Sequence, residues 1–329
     1  MRNFSRVYYY AVFGALGGAT GWFLAETLFP SLMSGASLLN RVGHGSLIGG
    51  MIGLFIAAYD GSFGGSPVRL IWYSGGGLLL GAAAGAVALP LAFRLYPALL
   101  ELASRAGAGG APSVWNFAAG VLCWILLGGI IGFGEGIGKG TENYKGALGG
   151  AAGGLVGGTF CEIARLYAVA QATPPPTLLA VSMTLLGGSI GGSIAVVTTA
   201  LRRSCVEVFR EGVFIREIPI DKYVHPRLGK YKPGIIGSAA SANIYLPGDA
   251  GIAPRHAKIS NLDGVPTLTV LGEPVNGHGA TVNGHAVMRP TRLRNGDRIK
   301  IGSTTLRFKQ KQVPQEQSRE GAPGARPGG

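Results

Sequence analysis

The sequence predicts two architectures in one chain: an all-α, glycine-rich transmembrane bundle of about six helices, followed by an all-β sandwich. Three observations carry this. Apolar stretches recur that are each long enough to cross a bilayer, which takes roughly 20 helical residues. Glycine occupies 57 of 329 positions under a positive mean hydropathy, a composition foreign to an ordinary soluble enzyme. After Arg203 the apolar runs give way to short alternating segments punctuated by Asn-Gly and Asp-Gly pairs. These set the expected units: a transmembrane glycine-zipper helical domain over 1–203, a β-sandwich over 204–311, and a tail over 312–329. The tail is too rich in Pro, Gly and polar residues to order itself.

The spans are expected near 8–29, 42–59, 70–92, 115–137, 146–167 and 178–200. Arg2 to Arg6 followed by an apolar run resembles the start of a signal peptide. No A-x-A-like cleavage site follows, so this run reads as an uncleaved first span. Glycine at this density would weaken a soluble helix, but in lipid it lets backbones approach closely. Gly146, Gly150, Gly154 and Gly158 recur every four residues beside Gly149, Gly153 and Gly157, which makes two adjacent rows on one helix face. Gly77, Gly81 and Gly85 repeat the idea, as do Gly14 and Gly18 beside Gly17 and Gly21.

Even-numbered spans share a second pattern: 47–53 reads LIGGMIG, 126–132 reads LLGGIIG and 185–191 reads LLGGSIG. The chain therefore holds three copies of a helical hairpin. Ionisable groups inside lipid are functional candidates by default, and those here are Glu135, Glu162, Arg165, His44 and Glu26. All but Glu135 fall near predicted span ends, where side chains reach water. Residues 134–141, GEGIGKGT, imitate a phosphate-binding loop, but Gly140 stands where Ser or Thr must follow the lysine.

Cys123, Cys161 and Cys205 show no paired spacing, so neither a disulfide framework nor a metal site is expected. The first 200 residues hold only nine of the 29 Lys and Arg and six of the 16 Asp and Glu, so positive charge concentrates in the soluble part. Arg202 and Arg203 directly follow the last span, which suits a cytoplasmic anchor or anionic lipid better than nucleic acid. Short-loop charges put both termini in the cytoplasm, with Arg2, Arg6, Arg69, Lys139, Lys145, Arg202 and Arg203 inside and Arg41, Arg94, Arg105 and Arg165 outside.

Beyond Arg203, Asp263-Gly264, Asn276-Gly277, Asn283-Gly284 and Asn295-Gly296 offer the positive φ angles that hairpins need. The runs 298–301 and 305–308 alternate with period two, as strands with one buried face should. Five motifs then occur in order: Gly237 in an Ile-Gly turn, 242–246 (ANIYL), 254–259 (PRHAKI), 281–284 (TVNG) and 293–302 (LRNGDRIKIG). In order and spacing they resemble a forkhead-associated (FHA) domain.

That resemblance implies an antiparallel β-sandwich that binds phosphothreonine peptides through its apical loops, and assigns roles residue by residue. The phosphate-binding arginine position holds Ser238, which has no bidentate fork. The phosphate-contacting serine position holds Ala253, and Pro254 beside it has no N–H to donate. The peptide-gripping asparagine falls on His278, or on Asn276 if two residues are inserted. Gly237, His256, Asn283 and Gly284 match as structural positions. Arg255, Lys258 and Arg289 leave positive charge near the apex.

The expected function is a membrane-anchored interaction or scaffold protein of a bacterial inner membrane. Its sandwich recruits a protein partner without needing phosphothreonine, with no catalysis and no cofactor. Two other readings stay open: a channel or transporter built from the hairpins, and a homo-oligomer that organises the bilayer.

Overall fold

The computed structural model describes residues 2–29, 37–62, 66–105, 112–135, 142–170, 176–224, 232–271 and 279–311. The loop 136–141, the positions Asn276 and His278 and the tail 312–329 lie outside them. Of Glu135, only the backbone is described.

Six long helices come first: α1 (Arg2–Leu28), α2 (Leu38–Ser62), α3 (Pro67–Arg105), α4 (Pro112–Glu135), α5 (Asn143–Ala170) and α6 (Pro176–Ala200). Five of them, α2 to α6, are long and apolar enough to cross a membrane. The sequence reading counted α1 as a sixth span, but its glycines, Thr20, Trp22 and Glu26 dilute its apolar run. Each helix packs on its neighbours in chain order, and α6 closes back on α1, so the six form a ring. Contacts across the middle join α2 to α4 and α4 to α6.

Glycine decides how tightly the ring closes. The closest backbone approaches lie between hairpins. A Cβ on Gly49 would collide with the backbone of Gly81, one on Gly128 with that of Gly150, and one on Gly187 with that of Gly14. The second glycine row works inside two hairpins, where Gly17 lies against Ile52 and Gly153 against Ile190. Three residues beyond Gly81, the matching position in α3 is Ala84, so the middle hairpin packs through a larger side chain.

Helix α6 leads directly into the sandwich. Its strands are β1 (Ser204–Arg210), β2 (Val213–Pro219), β3 (Gly234–Gly237), β4 (Ile244–Tyr245), β5 (Ala257–Leu262), β6 (Val265–Val270), β7 (Thr281–Val282), β8 (His285–Ala286), β9 (Thr291–Arg292), β10 (Arg298–Ile301) and β11 (Thr304–Gln310), with a one-turn helix α7 (Asp221–Val224) after β2. One sheet runs β2-β1-β11-β10-β7-β8 and the other β4-β3-β5-β6-β9. Alternation places Ile299, Ile301, Leu306 and Phe308 in the shared core with Val206, Ile236, Ile259 and Leu268. Asp263, Asn283 and the glycines Gly264, Gly284 and Gly296 adopt positive φ in the turns where the sequence placed them.

The junction between bundle and sandwich is polar and dry. Lys145, at the start of α5, is fully buried and pairs with Asp221 at 2.5 Å and Glu142 at 3.1 Å. Asp221, 1% exposed, also accepts N–H bonds from Ser204 (2.5 Å) and Arg203 (3.1 Å). Lys145 is therefore not the solvated loop cation that the charge count took it for. Arg202 is likewise buried and bonded to Glu217 at 2.9 Å, so it does not face lipid.

Candidate recognition face of the sandwich

The positions singled out from the sequence meet where β3 ends and β5 begins. Gly237 closes β3 against the loop before β5, and a Cβ there would overlap the carbonyl of Pro254. This close approach is why only glycine fits. It lets Ser238 N–H reach Ala253 O at 3.0 Å and Ala239 N–H reach Pro254 O at 3.3 Å.

The same bonds consume the donors that a bound anion would need. The Ser238 hydroxyl turns inward and donates to Ile252 O at 2.8 Å. The Ala253 N–H donates to Nδ1 of His256 at 3.2 Å. Pro254 has no N–H. Arg255 remains exposed on the rim, and no residue described bonds its guanidinium. Ser238, Ala253 and Arg255 thus lie together, with one free cation among them.

Beneath this face the frame is held by buried hydrogen bonds, although Nε2 of His256 has no partner among the described residues. His256 is buried and its backbone N–H donates to Ile236 O at 2.8 Å. Burial pushes its imidazole pKa below the ordinary value, with a smaller opposing pull from Asp249. Because Nδ1 accepts from the Ala253 N–H, the ring carries its proton on Nε2. Asp249 braces the loop after β4 against the β10–β11 turn, accepting from Gly251 N–H, Ser303 N–H and hydroxyl, and the Thr304 hydroxyl. Burial pushes the Asp249 carboxyl up, but those bonds outweigh it and hold the carboxyl below its usual range.

Asn283 sits at φ 52° and ties the β7–β8 hairpin to β10. Its Nδ2 donates to Asp297 at 2.9 Å and its Oδ1 accepts from Arg298 N–H at 2.9 Å. Gly284 follows at φ 86°. Both hold the hairpin and neither presents a free group upward.

The FHA domain family matches residues 234–302. These residues form an FHA domain. Solved structures similar to this part include the FhaA FHA domain complexed with the intracellular domain of Rv3910, at 24% identity over 32% of this chain and 99% of that one (TM-score 0.26). The FHA domain of the CT664 protein from Chlamydia trachomatis is similar at 23% identity over 33% and 99% (TM-score 0.27). The N-terminal FHA domain of Rad53p from S. cerevisiae, solved with a phosphothreonine peptide, is similar at 18% over 32% and 94% (TM-score 0.27). No curated protein matches the chain. An FHA domain is a protein-interaction module, so this chain carries such a module after its helices.

Sequence reasoning missed Asp221, Asp249 and Arg69. Arg69, in α3, donates to Ala242 O of the FHA domain at 3.1 Å and lies 4.9 Å from the Tyr245 ring. No local signal distinguishes these from ordinary surface charges, because their partners lie far along the chain. The intramembrane candidates are also clearer in three dimensions. Glu162 turns into the bundle, where Trp124 Nε1 donates to it at 3.1 Å and Arg165 pairs with it at 2.6 Å. His44 is buried 3.7 Å from Glu26.

Proposed function

We propose that this protein is a membrane-anchored scaffold whose FHA domain recruits a partner protein without requiring phosphothreonine. The recognition surface centres on Ser238, Ala253 and Arg255, with Asn276 or His278 as the peptide-gripping position expected from the sequence. One observation carries the reading: the hydroxyl and amides at the phosphate-contacting positions are already bonded inward, to Ile252, Ala253 and His256. A phosphoryl dianion needs charge-assisted donors, and Arg255 alone is a weak substitute at a solvated rim. The bundle supplies location. Its outward faces are Leu, Ile, Val and Phe side chains, such as Phe23, Leu79, Phe133, Leu155 and Ile163, and this supports lipid rather than water around it.

The test is capture of partners by the full-length protein from its own membranes, with and without prior phosphatase treatment. The same partner in both arms is the expected result. Loss of the partner on dephosphorylation would refute phosphothreonine independence.

A further inference from the structure

A cavity of about 560 Å³ lies where α2, α3 and α4 meet the β3–β4 loop of the FHA domain. The size is that of a small-molecule site. Its floor is bare backbone at Gly53, Gly77 and Gly81, and its walls are apolar, with Ile56, Leu80 and Ile131. The looser middle hairpin, with Ala84 where the other hairpins have glycine, accompanies this space. Residues 240–243 of the FHA domain close one side.

The mouth has the opposite chemistry. Arg69 stands there, and its guanidinium bonds only neutral acceptors, Ala242 O at 3.1 Å and Tyr73 Oη at 3.4 Å. Among the described residues no carboxylate pairs with it. Arg216, which donates to Tyr245 O, adds a second positive charge nearby. Burial, and next the proximity of Arg69, lowers the Arg216 pKa. An apolar slot lined at its FHA-domain end by a cation that no described carboxylate pairs, at the level where the first turn of a span meets the soluble domain, suits one class of ligand.

We propose that this cavity holds an anionic phospholipid of the bilayer, with one acyl chain along the glycine floor and its phosphate on Arg69. The proposal rests on the membrane reading given above. Because the loop of residues 240–243 forms one wall and leads back to Ser238, the lipid touches both the anchor and the recognition module.

The test uses the full-length protein. Resistance to alkaline extraction from membranes is measured first, since extraction of the chain would refute the membrane reading itself. The integral protein is then placed in bilayer discs holding equal phosphatidylglycerol and phosphatidylcholine, and the lipids it retains are read by native mass spectrometry. One retained phosphatidylglycerol is expected, and Arg69→Gln should cut its preference over phosphatidylcholine about tenfold. Gly76 lines the cavity and has open space where a Cβ would go, so Gly76→Leu fills the slot without unseating a helix and should abolish retention. Gly75→Leu gains the same helix propensity outside the lining and should retain the lipid. Equal retention of both lipids, an unaffected Gly76→Leu variant, or a free fatty acid in place of the phospholipid would each overturn the proposal while leaving the anchor intact.

Discussion

Glycine serves opposite ends in the two halves of this chain. In the bundle Gly49, Gly81, Gly128 and Gly150 have ordinary helical backbones and are needed because a neighbour's backbone occupies the place of a side chain. In the sandwich Gly264, Gly284 and Gly296 meet nothing within 4 Å and are needed because their φ is positive. One half uses the absence of Cβ for contact, the other for conformation. The lesson is that a glycine count sets the class of a chain but does not say what any one glycine does until the geometry around it is known. Gly237 sharpens the point, being a sandwich glycine that works by contact, against Pro254.

The comparison fails where the halves meet, and the largest effect is expected there. Lys145→Ala should destabilise the protein by about 3–5 kcal/mol, because it leaves the buried Asp221 carboxylate without its cation. Unfolding in detergent with a denaturant checks this. Removing both charges, as Lys145→Met with Asp221→Leu, should recover much of the loss; an equal or greater loss would mean that the Asp221 hydrogen bonds to Ser204 and Arg203 dominate.

Within the bundle, Gly150→Leu should cost about 3 kcal/mol by overpacking against the Gly128 backbone. Gly129→Ala, whose Cβ would sit 3.7 Å from that of Ala151, should be neutral or better. Equal tolerance of the two, measured as thermal midpoints, would end the contact interpretation. In the sandwich, Gly284→Ala should cost about 1–2 kcal/mol through its φ of 86° alone, although the space around it is empty. A loss comparable to that of Gly150→Leu would show that conformation and contact are not separable here.

The smallest effect concerns pH. The folded state depresses the His256 pKa, so below about 6.5, where the unfolded imidazole gains its proton, the unfolded state binds more protons and stability falls as pH drops. The contribution is complete above that pH and is lost towards the folded pKa. His256→Asn should flatten this slope between pH 7.5 and 5, as read from denaturant midpoints. An unchanged slope would assign the pH dependence to other groups.

Much was legible in advance. The positions of α2 to α6 follow from apolar length, and the FHA strands from alternation and from turns such as Asn283-Gly284, all signals confined to a few neighbouring residues. The site was legible in part, since Ser238, Ala253 and Pro254 can be read as residues lacking phosphate donors. That the Ser238 hydroxyl points into the protein could not be read, because its direction depends on Ile252, fourteen residues on.

The sequence by itself determined where the chain is apolar, where it turns and which donors are missing from the apex, because these belong to single residues or to short periods. Only the tertiary structure decided that Gly49 faces Gly81, that Lys145 is buried on Asp221 and that Arg69 joins an apolar slot to the FHA domain through Ala242. Each of these is a relation between residues remote in sequence. Packing selects it through close backbone approach and the cost of burying charge, neither of which leaves a local pattern.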